Sequence, residues 1–479
     1  MALPFSAMPG PRCVPIFGSA LNYTKLGPYR FERLHLAKLE YYQRYGRIYK
    51  EKLGPMTVVN LFDPVDIAKV FRGEGKYPKR PPMPIVYIAE KREKFALGIG
   101  SLQGEAWFNV RKSVQKMMMH PRAASVYLPA QNEVADDFLQ LLLDKRDRTS
   151  GEVSELFSYV TKYAMESIGT VCFNTRLGVM DDDLCLGSDA NKMISSSQAM
   201  FDAVQKTMYA FPWYHFFRTR LYSQFVTGKR GCNELALKYL NAAREKFGEV
   251  SSNDSENNDS FLSAVLSNKA LSNEDAVNLT VDLFTAGIDS TASALSFALY
   301  HLAKNPAEQE KLYQEISTVI PRGCSVSVSH IDNMPYLKAC IKESFRLNFP
   351  VEGGTRRFLE EDTVLGGYMV PKGALIAMNN QVMCLQEEYF ERPEEFLPER
   401  WLKKDSRDIQ APPPFVMMPF GYGPRMCIGR RFAEQEIYLA LIKIVQTFRM
   451  EYHHEPIGMI NRVFTMPDKA LRIALFPRD

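Results

Sequence analysis

Phe420-Gly-Tyr-Gly-Pro-Arg-Met-Cys-Ile-Gly-Arg-Arg431 is a glycine-punctuated loop that presents one cysteine and then runs straight into a helical pattern. A lone cysteine is usually a small buried hydrophobe. Here the surroundings point to a metal ligand. Gly423 and Gly429 allow backbone to approach a flat ligand where a Cβ would clash, and the amides that open the following helix are placed to bond a sulfur and stabilise its charge. Arg425 adds a planar guanidinium fork, which matches a carboxylate better than an ammonium does.

A thiolate as fifth ligand of a haem iron pushes electron density onto the metal and favours O–O cleavage, so one well-held cysteine can define an oxygenase. The string Phe420, Gly423, Arg425, Cys427, Gly429 resembles, position for position, the haem-binding signature of the cytochrome P-450 family. The resemblance recurs upstream. Lys342-Glu-Ser-Phe-Arg346 is similar to that family's Glu-x-x-Arg helix, and Pro398-Glu-Arg-Trp401 to the segment whose arginine, here Arg400, closes a cluster with Glu343 and Arg346. Trp107-Phe-Asn-Val-Arg111 resembles the Trp-x-x-x-Arg that holds haem propionates, and Arg356 falls where the family has a further propionate arginine. Several motifs in the right order weigh far more than any one of them.

Ser272-Asn-Glu-Asp275 reads as a capping box, and the apolar pattern then continues without proline to Asn305-Pro306. That predicts one long helix. Within it, Ala286-Gly-Ile-Asp-Ser-Thr291 resembles the family's oxygen-handling segment, in which an acid and the next hydroxyl guide protons; the roles fall on Asp289 and Ser290. The usual threonine is a serine here, so the relay lies between Ser290 and Thr291, with Ser290 preferred. Gly287, a costly residue in mid-helix, is expected to make room for a ligand.

The chain has 479 residues, 46% hydrophobic and 24% charged, enough for a large core. No linker divides it, and we expect a single cytochrome P-450 domain over 1–479, with a proline-rich lead-in over 1–30 and a mobile loop over 250–260. Helical patterns dominate from Gln131 to Leu347, while Ile48–Leu53, Thr57–Leu61 and Leu375–Met378 read as strands. The expected class is mostly α with small β-sheets. The resemblance implies the family fold, with haem b between the long central helix and the helix after the Cys427 loop. The eight cysteines show no C-x-x-C pair, which argues against zinc sites and a disulfide scaffold; seven are expected to be inert.

No stretch of 18 or more apolar residues precedes Pro9-Gly-Pro11 in this sequence, so the anchor of a microsomal relative is not expected in these residues. Lys338 and Lys342 sit four apart, and Arg430-Arg431 follow the cysteine. With Met334–Glu343 they resemble the mitochondrial branch of animal members, which takes electrons from an acidic iron–sulfur ferredoxin and works at the matrix face of the inner membrane. The net charge of +4 is too small to add to this, and local patches rather than net charge steer such a partner. No nucleic-acid partner is implied. Phe211-Pro-Trp-Tyr-His-Phe-Phe217, followed by Arg218 and Arg220, suits peripheral contact with a membrane interface.

The resemblance therefore implies a haem-thiolate monooxygenase that uses O2 to hydroxylate a lipophilic substrate, with sterol-like compounds (steroid, ecdysteroid or secosteroid) as first choice. Met83, Ile85, Phe284, Ala286, Gly287, Val351, Gly353 and Phe464 are the expected pocket residues, apolar and undiscriminating. A xenobiotic-detoxifying enzyme of the same branch is the alternative. Asp289-Ser290 and a ferredoxin-docking face speak against a haem-based sensor or carrier, and a self-sufficient isomerase or lyase using peroxides would have no use for the Lys338/Lys342 face.

Overall fold

A computed structural model describes residues 2–54, 56–181, 188–208, 211–249, 260–269, 271–321, 323–351, 355–402 and 412–478. Gly353, Cys185 and most of the polar run over 250–260 lie outside the described residues. The first helices are α1 Leu34–Tyr45, α2 Pro64–Arg72, α3 Pro84–Arg92, α4 Gly104–Met118, α5 Leu128–Lys145, α6 Leu156–Phe173, α7 Asp189–Thr207 and α8 Arg220–Glu249. They are followed by α9 Phe261–Ser267, α10 Asn273–Lys304, α11 Pro306–Val319, α12 Val328–Asp332, α13 Pro335–Leu347, α14 Asn380–Met383 and α15 Arg430–Thr447.

The sheets are small. In the largest, β2 (Ile48–Leu53) pairs antiparallel with β3 (Met56–Leu61), which pairs parallel with β8 (Leu375–Met378), which pairs antiparallel with β5 (Arg356–Phe358). The others join β1 (Leu3–Pro4), β7 (Tyr368–Val370) and β6 (Thr363–Leu365), and β4 (Glu152–Val153), β12 (Ile473–Pro477) and β9 (Phe448–Glu451). A hairpin of β10 (Met459–Asn461) and β11 (Thr465–Pro467) stands by itself. The class is mostly α with small mixed sheets.

Helix α10 organises the molecule because its ends are fixed by local chemistry. Ser272 Oγ accepts the Asp275 N–H at 3.0 Å while Asp275 accepts the Ser272 N–H at 3.3 Å, and Pro306 starts the next helix. At 1.5 Å per residue its 32 residues span about 48 Å. It crosses the interior, packed by α6, α8, α13 and α15. Its C-terminal half shares one apolar cluster with α5, α6, α13 and α15, through Leu295, Phe138, Tyr163, Leu337 and Leu441. Its N-terminal half, through Leu279, Phe284 and Ile288, belongs to a second cluster with α7 and α8. No helix among the described residues is long and apolar enough to cross a membrane.

Candidate active site

The cysteine loop turns through two glycines in the left-handed region, which glycine enters without the steric cost other residues meet, Gly421 at φ +71° and Gly423 at φ +73°. The Cys427 N–H donates to Phe420 O at 2.8 Å, closing the loop, and Gly429 caps α15. Phe420 packs edge-on against Phe345 of α13 at 5.6 Å between ring centres. Cys427 lies deep in the fold, yet its side chain is accessible. A Cβ on Gly429 would meet nothing within 4 Å. The thiol therefore opens on internal space. Burial raises its pKa, opposed by a backbone hydrogen bond from Gly429 and by the charges of Arg111 and Arg430.

The opposite wall is α10. From residue 278 to 303 every position is buried except Asp282, Ala286, Gly287, Ser290 and Ala294, a single stripe at helical spacing. Ala286 is outright exposed in the middle of a buried helix. Ser290 lies on this stripe, its hydroxyl donating to Ala286 O at 2.7 Å. Thr291 is buried on another side, beside the Glu436 carboxyl of α15 without reaching hydrogen-bond geometry. Asp289 is nearly buried, and desolvation raises its pKa to about 6 against the pull of Arg462.

Four arginines crowd the edge of this space. Arg425 is buried, stacks over the Trp107 ring at 3.9 Å, donates to Pro78 O and Leu102 O, and leaves Nη1 buried without a partner among the described residues. Arg111 is buried and donates to Met426 O at 2.8 Å. Arg357 is buried against Glu74, and Arg80 lies 3.5 Å from Gly100 O. Burial lowers the pKa of all four, to about 10 for Arg111 and about 9 for Arg425, where the other three arginines add repulsion. Glu74 alone does not balance such a cluster. A group carrying two carboxylates beside the thiol would, and haem with its two propionates fits that charge and that cradle. Among the described residues no three His, Cys, Asp or Glu side chains converge on a metal position, so an iron here must bring its own equatorial ligands.

The Glu343 cluster is fully formed. Arg346 Nη2 and Nε reach Glu343 at 2.8 and 2.9 Å, Arg400 Nε at 3.0 Å and Trp401 Nε1 at 2.9 Å. Arg346 also donates to the carbonyls of Cys384, Pro393 and Glu395, tying α13 to the segment before the cysteine loop.

Three sequence expectations need correction. Strand alternation sends Arg356 and Arg357 to opposite faces of β5, and Arg357, one residue on from the expected Arg356, is the one that joins the arginine cluster. Gly287 is small because of α6, not a ligand: a Cβ there would fall 2.9 Å from Ile168 Cγ1. Ile85 and Phe284 are core residues at 2% and 0% exposure, whereas Met83, Val351 and Phe464 keep some access. Among the described cysteines besides Cys427, Cys13 and Cys324 are exposed and the others are buried.

The expected docking face is uneven. Lys342 is exposed, its ammonium 5.8 Å over the Trp401 ring, while Lys338 is half-buried on Asp332 O. Arg430 and Arg431 both pair with Glu434. Phe211, Trp213, Phe216 and Phe217 are exposed, while Tyr214 is core. Sequence reading missed Arg80, Arg357 and Glu436. For Glu436 a signal existed: a carboxylate on the buried face of α15, raised to about 8 by desolvation.

Comparison with known proteins agrees with this geometry. Residues 8–475 match the family model described as Cytochrome P450. The chain is 34% identical over 99% of its length to "Cytochrome P450 10" of Lymnaea stagnalis, covering 86% of that protein. It is 32% identical to the mouse "1,25-dihydroxyvitamin D(3) 24-hydroxylase, mitochondrial", over 99% of this chain and 89% of the relative. It is 30% identical to "Probable cytochrome P450 301a1, mitochondrial" of Drosophila melanogaster, over 99% and 87%. A thiol that opens on internal space, a long helix across the interior and four arginines suited to two carboxylates agree with these matches: the chain belongs to the cytochrome P-450 family and is a monooxygenase with haem b as cofactor.

Proposed function

We propose that the enzyme hydroxylates a lipophilic, sterol-like substrate with electrons from a mitochondrial-type ferredoxin, as a peripheral protein at the matrix face of the inner membrane. The observation that carries this reading is Cys427 opening on internal space opposite the α10 stripe. Mitochondrial is part of the name of two of the relatives above, and one is named a hydroxylase of a vitamin D. The exposed aromatics from Phe211 to Phe217 supply rings at a suitable surface for a membrane interface.

Haem b, which Cys427 would hold, would supply the activation of O2 needed to insert one oxygen atom into a C–H bond. The chain supplies the setting. Arg425, stacked on Trp107, with Arg111, Arg357 and Arg80 would hold the propionates, and the Gly429 amide would steady the sulfur charge. Ala286, Val351, Met83 and Phe464 border the substrate and exclude water from it. Asp289 would take protons from the side of Arg462 and Gln205, and the Ser290 hydroxyl on the stripe would pass each on, giving up its own proton as it accepts another.

Replacement of the ligand tests the assignment. Cys427→His should retain haem at best, lose the thiolate-type spectrum of the reduced carbon monoxide complex and lose nearly all ferredoxin-dependent product from a sterol panel. An unchanged spectrum would sink it.

A further inference from the structure

One carboxylate sits among the arginines beside the cysteine loop. Glu74 follows α2, whose last turn packs Phe71 on Phe415 and Tyr422 at 5.7 and 5.1 Å between ring centres, so this end of α2 lies against the loop. Its side chain is 6% exposed, and Oε1 pairs with Arg357 Nε. Oε2 lies against the loop itself: a Cβ on Gly423 would fall 3.2 Å from it. The glycine therefore leaves room for an acid of the chain. Oε2 meets no hydrogen-bond donor among the described residues.

An acid buried this way costs free energy unless its charge has a use. The use lies in the arginines. Burial raises the pKa of Glu74, while the charge and hydrogen bond of Arg357, then the charge of Arg425, pull it down and favour the carboxylate. In turn the Glu74 charge acts on both Arg357 and Arg425. Arg357 also donates to Arg356 O at 2.9 Å and lies 5.7 Å over the Phe71 ring. Glu74 thus reaches two of the arginines suited to propionates and one turn of the cysteine loop at once.

We propose that Glu74 is a positioning residue for haem: it orients Arg357 toward a propionate and, as a fixed negative charge beside the cradle, makes the iron harder to reduce. Reduction adds an electron, so a nearby carboxylate opposes it and a nearby guanidinium favours it. The two roles have opposite signs for haem retention. With Arg357 present, Glu74 helps by holding the guanidinium fork in place, as the hydrogen-bond partner of a binding group does. With Arg357 gone, it only repels propionates. The inference rests on the propionate-holding role given to the arginines above.

Redox titration of the substrate-free holoenzyme, and the rate of haem transfer from it to apomyoglobin, test this in the parent, Glu74→Gln, Arg357→Gln and the double variant. Glu74→Gln should raise the ratio of ferrous to ferric haem at a fixed potential several-fold, and Arg357→Gln should lower it. Glu74→Asp, which keeps the charge, should leave the ratio near the parent's. Glu74→Gln should speed haem loss roughly ten-fold in the parent but slow it in the Arg357→Gln background, where it only relieves repulsion. An unmoved ratio overturns the proposal, and so does faster haem loss on both backgrounds, which marks a packing role alone. Should Glu74→Gln not fold by itself, the comparison of Arg357→Gln with the double variant carries both readouts. If Arg357→Gln keeps haem as firmly as the parent, the propionate reading fails and takes the inference with it.

Discussion

Ser290 and Thr291 are neighbours about 100° apart around a helix, and that angle separates their surroundings. Ser290 lies on the accessible stripe of α10, whereas Thr291 lies beside Glu436 in the packed interior. Ser290→Ala should therefore divert reducing equivalents from hydroxylated product to hydrogen peroxide, with Thr291→Val comparatively mild, as measured by product and peroxide formed per NADPH. The reverse pattern would put the relay one residue on. Asp289 supplies a pH signature. Its carboxyl is raised to about 6 from 3.8, so the folded protein holds an extra proton between those values, and burial of this group costs stability as pH rises through that window and in full above it. Coupled turnover should fall as pH rises through about 6 in the parent, because the proton at hand is lost, and this limb should vanish in Asp289→Asn. The residues that bear chemistry by type, Cys427, Asp289 and Glu343, were legible in the sequence. Arg357 was not, because two adjacent arginines differ only in the face that strand pairing assigns them.

Elements were legible where their ends carry local chemistry. The Ser272 capping box and Pro306 bound α10 where the sequence places them, and the strand signals at Ile48–Leu53 and Leu375–Met378 match β2 and β8. What an element packs against is nonlocal, and there the sequence misleads. Gly287 in mid-helix reads as a ligand site, yet Ile168 of α6 occupies the position where a Cβ would go. Gly287→Ala should cost about 1–3 kcal/mol through overpacking, despite the better helix propensity of alanine. In Ile168→Ala, which opens the contact, the same substitution should cost much less, and a double-mutant cycle of denaturation free energies measures the coupling. Additive effects would return Gly287 to the ligand reading.

At the scale of the whole molecule, the electron route depends on which surface charges are free to act at a distance. Composition is silent on this, since a net charge of +4 over 479 residues has no direction. The structure ranks the four basic residues that the sequence grouped together. Arg430 and Arg431 share Glu434, and Lys338 is half-buried with its ammonium on a backbone carbonyl. Lys342 is exposed above Trp401, on the same α13 that carries Glu343 and Arg346 toward the cysteine loop. An acidic ferredoxin steered to this face should feel Lys342 most, because the field of a paired guanidinium is largely cancelled within a Debye length of about 8 Å at physiological salt. Lys342→Glu should slow ferredoxin-dependent reduction several-fold at low salt, with the difference shrinking as salt rises and substrate-binding spectra unchanged. Arg431→Glu should do less. Stopped-flow reduction rates across a salt series compare the two, and equal rates for Lys342→Glu and the parent would remove α13 from the docking face.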